Sequence, residues 1–185
     1  MTSSPTFSSL GLCSALLRAV NGLGHEEPTP VQSEAIPAIL RGQDVWASAK
    51  TGSGKTAAFI LPLLQALADH ETEQALIVVP TRELAVQIAE AIGVYGRHLP
   101  QKPKTCVAVG GVPIERQLVT LRGRVDLVVG TPGRLLDLCE RDALRLSSVT
   151  ALVLDEADRL FKMGFSDQLN RLLALLPESR QNLLF

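Results

Sequence analysis

The sequence predicts an α/β fold in which a parallel β-sheet has helices on both faces. Six short apolar runs alternate with longer segments of helical periodicity, and glycines and prolines separate them. Most of the apolar runs are continuous rather than alternating, as in strands that are covered on both sides. With 185 residues, 46% hydrophobic and 20% charged, the chain is long enough for a sizeable core. We therefore predict a single domain over residues 1–185.

The predicted elements follow each other in strand–helix order after an initial pair of helices. These initial helices are predicted at residues 9–21 and 31–40. Strands are then predicted at residues 45–49, 75–79, 105–109, 127–129, 151–154 and 183–185. Further helices are predicted between the strands, at residues 56–68, 82–95, 114–121, 134–139 and 158–176. The last strand begins where the sequence stops, so we expect the chain to be one piece of a longer protein.

Charge and aromatic content argue against several classes of protein. The net charge of −1 disfavours a polybasic domain that binds nucleic acid or membranes by charge alone. Aromatic residues make up 4% of the chain, which is too few for base-stacking platforms. The stretch 116–145 mixes arginines with acids, and we predict a solvated face with local ion pairs there rather than a binding stripe.

Membrane insertion and disulfide bonding are also disfavoured. The most apolar run, residues 57–68, is broken by Pro62 and Gln65 and is shorter than the roughly 20 residues that a spanning helix needs. No lysine or arginine precedes Arg18, so the start of the chain does not resemble a signal peptide. The three cysteines are widely spaced and predict neither a disulfide framework nor a metal-binding pair. We expect a reducing, cytoplasmic environment.

A phosphate-binding loop is indicated at residues 49–56, which read Ala49-Lys50-Thr51-Gly52-Ser53-Gly54-Lys55-Thr56. The string follows a predicted strand and opens a predicted helix, which is the context that a P-loop requires. Its glycines allow several N–H groups to point into one concavity, where the helix N-terminus adds partial positive charge. Lys55 is predicted to reach the β- and γ-phosphates of a nucleotide and Thr56 to bind Mg²⁺. An ordinary glycine-rich turn is the alternative, and the general pattern has glycine where this chain has Ala49.

Two acids at the end of an apolar strand complete a hydrolytic site. Residues 151–154 deliver Asp155 to the carboxyl end of a strand, where ligands bind in open parallel sheets. Asp155 is predicted to hold Mg²⁺ through water, and Glu156 to orient or deprotonate an attacking water. Alone, residues 155–158 would be as well explained by the acidic first turn of a helix. Together with the P-loop they favour a nucleoside triphosphate hydrolase.

The letters at 155–158 spell the signature of the DEAD-box ATP-dependent RNA helicases, and five further motifs resemble that family. Residues 80–87 are similar to its motif Ia, Gly110-Gly111 and residues 131–134 to its next two elements, and residues 28–32, with Phe7 upstream, to its adenine-reading Q motif. The family's P-loop has alanine at its first position, in agreement with Ala49. The resemblance runs from residue 7 to residue 185 and is strongest to the bacterial members.

The resemblance implies a RecA-like P-loop NTPase domain, the first of two in the family's core, with ATP and Mg²⁺ as cofactors. The second domain, which carries an arginine finger, is expected outside this chain. Asp158 would bond to the family's Ser-Ala-Thr segment, expected just after Phe185, and would couple hydrolysis to RNA release. With that partner missing, we expect Asp158 to be unsatisfied or solvated.

Adenine recognition is implied for the Q-motif region, residues 7–32. The flat amide of Gln32, next to Pro30, suits bidentate reading of an adenine edge, but a glutamine in the first turn of a helix also serves as a cap. His25 stands where the family usually has an aromatic residue. Stacking on adenine and a plain exposed loop position are both open for it.

RNA binding is implied for three strand ends. The residues concerned offer N–H groups, hydroxyls and two guanidinium groups, which hold phosphate and ribose without reading sequence. They are Pro80, Thr81, Arg82, Gly110, Gly111, Thr131, Pro132, Gly133 and Arg134. Without the family pattern, each Gly-Gly or Pro-Gly pair would be read as a plain turn.

We therefore expect the N-terminal domain of an ATP-dependent RNA helicase, in which ATP hydrolysis drives local separation of RNA strands. An ATP-gated RNA clamp or scaffold with little unwinding has the same motifs. A DNA helicase is disfavoured by residues 80–85 and 155–158. Without an arginine finger the isolated chain should be a monomer that hydrolyses ATP slowly, ~10³-fold or more below the whole protein.

Overall fold

The computed structural model describes residues 5–50 and 52–185 of the chain. Six strands lie in its sheet: β1 (Val45–Trp46), β2 (Gln74–Val78), β3 (Thr105–Ala108), β4 (Leu127–Gly130), β5 (Val149–Leu154) and β6 (Gln181–Leu184). All neighbouring strands pair in parallel, in the order β1-β6-β5-β2-β4-β3. The predicted parallel α/β fold is confirmed.

Helices cover the two faces of the sheet in two groups of four. They are α1 (Ser14–Gly22), α2 (Pro30–Leu40), α3 (Lys55–Ala68), α4 (Arg82–Tyr95), α5 (Ile114–Leu121), α6 (Pro132–Glu140), α7 (Ala157–Lys162) and α8 (Ser166–Ala174). Successive strand residues point to opposite faces. Ala75 and Ile77 of β2 therefore pack in the core with α1–α4, whereas Leu76 and Val78 pack with α5–α8.

Three predicted elements differ from the structure. The helix predicted at 9–21 is a 3₁₀ turn at Phe7–Leu10 followed by α1, because the chain bends to bury the side chains of both terminal residues of that turn. The strand predicted at 45–49 is shortened to β1, which pairs at the sheet edge with β6 alone. The single helix predicted at 158–176 is two helices, because Gly164 adopts a left-handed conformation (φ 80°) between them.

The parallel arrangement brings the predicted site segments to one edge of the sheet. The P-loop follows β1, Thr81 follows β2 by three residues, Gly110 follows β3, Thr131 follows β4 and Asp155 follows β5. Backbone bonds hold these exits side by side, since the Asp155 N–H donates to the Val78 carbonyl (3.0 Å) and the Thr131 N–H to the Ala108 carbonyl (3.1 Å). None of the helices in residues 5–50 and 52–185 is long and apolar enough to cross a membrane.

The close approach of β4 to β3 can be tested at Gly130. A Cβ added there would lie 2.5 Å from the Ala108 carbonyl oxygen, so Gly130→Ala must push the backbones of β4 and the edge strand β3 apart. We expect it to lower the free energy of unfolding by about 1–3 kcal/mol. Gly93→Ala is the matched control, because Gly93 is exposed within α4 and nothing lies within 4 Å of an added Cβ. It should stabilise the chain by about 0.5–1 kcal/mol in urea denaturation. A neutral Gly130→Ala would show that the strands are not so closely packed.

Candidate active site

The P-loop joins β1 to α3 through a left-handed glycine. Gly54 has φ 89° and caps the N-terminus of α3, which begins at Lys55. The Lys55 ammonium turns back across the loop and donates to the Ala49 carbonyl (2.8 Å), and the Ser53 N–H donates to the Lys50 carbonyl (3.2 Å). Gly52 is also left-handed (φ 81°), with nothing within 4 Å of an added Cβ. The loop is thus closed on itself by Lys55, and Thr51 lies outside the described residues.

Ser53 and Thr56 contribute hydroxyl groups at the start of α3. The Ser53 hydroxyl is buried and has no hydrogen-bond partner in the described part of the chain. Thr56 is half-buried in the first turn of α3. Oxygen atoms and outward-facing backbone around two left-handed glycines form a polar concavity of the kind that accommodates phosphate oxygens.

Gln32 links the Q-motif region to the P-loop. Its side chain is 6% exposed. The amide oxygen accepts from the Thr29 N–H (3.0 Å), and the amide nitrogen donates to the Gly54 carbonyl (3.0 Å). A Cβ added at Gly54 would overlap the Gln32 amide. The capping role is therefore present, and it leaves one N–H and one oxygen lone pair of the amide for another ligand. The contact with Gly54 was not predicted from the sequence.

The other two Q-motif residues are at the surface. Pro30 is exposed and occupies the first position of α2, where its fixed φ suits a helix start. His25 is also exposed, and its Nε2 lies 3.5 Å from the Tyr95 hydroxyl. The imidazole thus contacts the last residue of α4 from the loop that connects α1 to α2.

Asp155 is a buried carboxyl group at the carboxyl end of β5. Its side chain is 3% exposed, and one of its oxygens accepts from the Glu156 N–H (3.0 Å). Burial raises the pKa of Asp155 to about 6, although the Glu156 N–H and the positive charge of Lys55 act in the opposite direction. Glu156 itself is left-handed (φ 52°), and its carboxylate pairs with Arg159 (3.0 Å).

The P-loop and the acids line the same cleft, which has a volume of about 800 Å³. Its lining includes Ala49, Lys50 and Lys55 from the P-loop and Glu156 and Asp158 from the acidic segment. Asp158 is exposed to solvent and pairs with Lys162 (2.9 Å), whose hydrogen bond and charge lower the pKa of Asp158. The structure therefore brings the P-loop and the acidic segment together in one cleft, and Asp158 is solvated rather than unsatisfied.

Residues of motif Ia and the Gly-Gly pair are in contact. Pro80 is buried, and the Thr81 hydroxyl accepts from the Leu84 N–H (3.3 Å), which caps α4. The Arg82 guanidinium lies over the Gly110-Gly111 backbone, with one nitrogen 3.3 Å from the position of an added Gly110 Cβ. A larger residue at Gly111 would displace it.

The residues of the third strand end lie at the start of α6. Pro132 is buried at its first position and Gly133 is exposed. The Arg134 guanidinium is 3.5 Å from the Asp137 carboxylate through Nε, and its Nη1 is buried without a partner in residues 5–50 and 52–185. This arginine therefore has donor capacity to spare at the same sheet edge as Arg82.

Gln117 is a residue of this edge that the sequence reasoning missed. It is 5% exposed, its amide nitrogen donates to the Val109 carbonyl (3.0 Å), and it thereby holds the strand end that precedes the Gly-Gly pair. Its amide oxygen is buried without a partner within the described ranges. The available signal was its position in a predicted helix, on the same face as Ile114, Leu118 and Leu121, where an apolar residue is expected.

Known proteins match the chain over nearly its whole length. The family model described as DEAD/DEAH box helicase matches residues 29–185. The chain is 48% identical to the ATP-dependent RNA helicase DeaD of Escherichia coli (strain K12), covering 97% of this chain and 29% of that protein. It is 45% identical to the DEAD-box ATP-dependent RNA helicase CshA of Bacillus anthracis, covering 97% and 34%.

Solved structures give the same result for the fold. A DEAD box protein from the hyperthermophile Methanococcus jannaschii superposes with a TM-score of 0.90 at 37% identity, covering 97% of this chain and 49% of that one. A hypothetical ATP-dependent RNA helicase from Sulfolobus tokodaii gives a TM-score of 0.84 at 40% identity, covering 92% and 49%. The chain thus spans less than half the length of each of these four proteins.

The buried carboxyl group of Asp155 should make the metal-free chain less stable as the pH rises. Between pH 3.8 and about 6 the unfolded chain loses this proton while the folded chain retains it, so folding stability falls across that window. The side chain in Asp155→Asn cannot ionise, so it remains neutral at every pH. This variant should therefore be more stable than the unaltered chain by about 1–3 kcal/mol at pH 8, with no difference below pH 3.8.

Urea denaturation in EDTA at several pH values measures this difference. Asp158→Asn is the control, because Asp158 is exposed and its pKa is lowered, so removing its charge cannot give the same gain at high pH. A stability difference for Asp155→Asn that stays constant from pH 3 to pH 8 would contradict the assignment of the raised pKa to Asp155.

Proposed function

Because the chain belongs to the DEAD/DEAH box helicase family, we propose that it is the N-terminal, ATP-binding RecA-like domain of an ATP-dependent RNA helicase. The observation that supports this most directly is the cleft lined by Lys55, Glu156 and Asp158, with the buried Asp155 close enough for the charge of Lys55 to act on it. The same sheet edge presents Arg82 over Gly110-Gly111. The chain covers 29% of one curated relative, so the second domain that completes the site is proposed to lie outside it. We also propose that the protein is cytoplasmic and that the isolated chain is a monomer.

The residues of the P-loop and of the end of β5 fit a nucleotide with a bound magnesium ion. The Asp155 carboxylate and Thr56 hydroxyl are hard oxygen donors, which Mg²⁺ prefers. When bound, Mg²⁺ supplies charge neutralisation on the β- and γ-phosphates. The Lys55 ammonium would exchange the Ala49 carbonyl for phosphate oxygens, which removes the bond that now closes the P-loop. The backbone N–H groups of residues 51–55 would bind phosphate around the two left-handed glycines.

Gln32 is proposed to read adenine with the capacity that its present bonds leave free. The amide retains one N–H and one lone pair, which is the number needed for a bidentate contact with an adenine edge. Since the same amide holds the Gly54 carbonyl, base recognition and P-loop geometry share one side chain. Pro30 and His25 are proposed to border the base, with His25 as its stacking neighbour.

The exposed sheet edge is proposed to hold the RNA backbone. Arg82 and Arg134 supply guanidinium groups, and Thr81, Thr131 and the turns at 110–111 and 132–133 supply hydroxyls and N–H groups. Such contacts bind phosphate and ribose without reading the base sequence. Glu156 is proposed to position the attacking water, and Asp158 to exchange Lys162 for a coupling partner in the longer protein.

Calorimetric titration of the chain with nucleotide and Mg²⁺ tests the ATP site. We expect ADP to bind at least about 10-fold more tightly than GDP, which corresponds to about 1.4 kcal/mol. Gln32→Ala should remove most of that preference and Lys55→Ala should weaken both nucleotides. Gln87→Ala is the matched control, because Gln87 is an exposed glutamine of α4. ADP and GDP of equal affinity would contradict the role of Gln32, and unaltered binding in Lys55→Ala would contradict the P-loop assignment.

Hydrolysis is tested in the longer protein, where the second domain is present. Glu156→Gln keeps the shape and the contact with Arg159 but removes the carboxylate. We expect RNA-stimulated ATP hydrolysis to fall by about 10²–10⁴-fold, while ATP binding is retained. Strand displacement should fall in parallel. Displacement that continues at the original rate in Glu156→Gln would favour an ATP-gated clamp, and RNA-stimulated turnover at that rate by residues 1–185 alone would contradict the need for a second domain.

A further inference from the structure

The near-zero net charge of the chain conceals an uneven distribution. Residues 97–125 contain six lysines and arginines but one acid, Glu115, whereas the remaining residues contain twelve lysines and arginines and eighteen acids. One segment thus has a net charge of +5 and the rest of the chain has −6. Such asymmetry within a domain is typical of a surface that meets a polyanion.

Four of these cations lie together at the amino ends of β3 and β4. Lys102 and Lys104 precede β3, and Arg122 and Arg124 precede β4; we call these four residues the basic rim. The Lys104 ammonium lies 3.1 Å from the position of an added Cβ on Gly123, which stands between the two arginines. Lys102, Lys104 and Arg124 also line one cleft of about 680 Å³.

The rim is poor in compensating acids. Arg124, whose side chain is 71% exposed, lies 3.3 Å from the Asp126 carboxylate. In the part of the chain that the structure describes, no carboxylate lies within 4 Å of the charged groups of Lys102, Lys104 or Arg122. Asp69 is the other acid that lines the cleft.

Outside residues 97–125, five of the twelve lysines and arginines have a carboxylate within 4 Å in the described part of the chain, and Arg134 is one of them. Arg141, Arg159, Lys162 and Arg171 each pair with an acid. The predicted local pairing of the stretch 116–145 holds for Arg124, Arg134 and Arg141. It is wrong for Arg116, Arg122 and Arg145, none of which has a carboxylate within 4 Å among the residues described. For Arg116 and Arg122 the reason is spacing, since neighbouring helical residues do not face each other and no acid lies three or four positions before Arg122.

Helix α5 lies between the rim and the proposed RNA edge. β3 is the last strand of the sheet, with the Gly110-Gly111 turn at its carboxyl end and the rim at its amino end. Helix α5 runs back between these two ends over eight residues, about 12 Å. Arg116 is exposed in its first turn and Val119 is 59% exposed in its middle, while Ile114, Leu118 and Leu121 pack inward.

We propose that the basic rim is a second RNA-phosphate site, which holds the strand that continues along α5 from the sheet edge. This inference rests on the proposed function, because it requires RNA at the Arg82 and Gly110-Gly111 surface. Arg116 bridges the two sites, and Lys102, Lys104, Arg122 and Arg124 bind phosphates beyond it. An acidic protein is the less favoured occupant, because the rim continues directly into the RNA edge through α5.

Binding of two single-stranded RNAs of different length to residues 1–185 tests the inference. An oligonucleotide of about 5 nucleotides should reach the sheet edge alone, and one of about 15 nucleotides should also reach the rim. In Lys104→Gln/Arg122→Gln, we expect the affinity for the long RNA to fall about 3–10-fold and its salt dependence to decrease by about 0.7 in log–log slope per lost phosphate contact. The affinity for the short RNA should be unchanged.

The matched control is Arg18→Gln/Arg41→Gln, which removes the same charge at two exposed positions outside residues 97–125 and should leave both affinities unchanged. The inference would be overturned if the control and the rim variant lost the same affinity for the long RNA, or if the rim variant lost the same affinity for both RNA lengths. It would also be overturned if poly-glutamate, and not RNA, were the polyanion that binds the rim. Arg82→Gln separates it from the proposed function. If Arg82→Gln weakens the short RNA but the rim variant binds both RNAs normally, the rim proposal alone fails. If Arg82→Gln has no effect on the short RNA, the proposed RNA edge fails, and the rim proposal with it.

Discussion

Parallel pairing of the six strands is the constraint on which the site depends. In a parallel sheet both faces must be covered, so polar groups are excluded from the faces and collect where the strands end. The pairing of β2 with β5 brings Asp155 beside Val78, and the pairing of β3 with β4 brings Thr131 beside Ala108. Segments that are up to about a hundred residues apart in sequence thus share one edge, because the strands that lead to them pair directly.

This arrangement leaves the carboxylate of Asp155 poorly solvated. Asp155 is almost fully buried, and the single N–H donor and the lysine that favour its ionised form do not offset the loss of water. A cation brought with the nucleotide would supply what is missing, so ligand binding and ionisation of Asp155 should favour each other. The Lys55 ammonium is also not bound to a carboxylate, since it donates to the Ala49 carbonyl and closes the loop.

Much of the fold could be predicted from the sequence, because its signals are local. Helices at 82–95 and 114–121 begin and end where the pattern places them, and the strands at 75–79 and 105–109 differ from the structure by one residue at most at either end. Failures occur where a single backbone position outweighs periodicity, as at Gly164, or where pairing decides the length of an element, as in β1. Periodicity describes side chains and carries no information about these backbone effects.

In the candidate site, too, some features could be predicted from the sequence and others could not. Lys55, Asp155 and Glu156 could be placed near one another because each follows a strand of a parallel sheet. The hydrogen bonds of Gln32 to Thr29 and Gly54 could not be predicted, because they depend on how α2 packs against α3. Nor could the basic rim, since it forms only when the loops before β3 and β4 meet in space. The average charge of the chain argued against polyelectrolyte binding, but phosphates respond to charges within about a Debye length, roughly 10 Å, rather than to the average. Placed donors at one end of β3 and the largely unpaired cations of the rim at the other would then divide RNA binding into a salt-insensitive part and a salt-sensitive part.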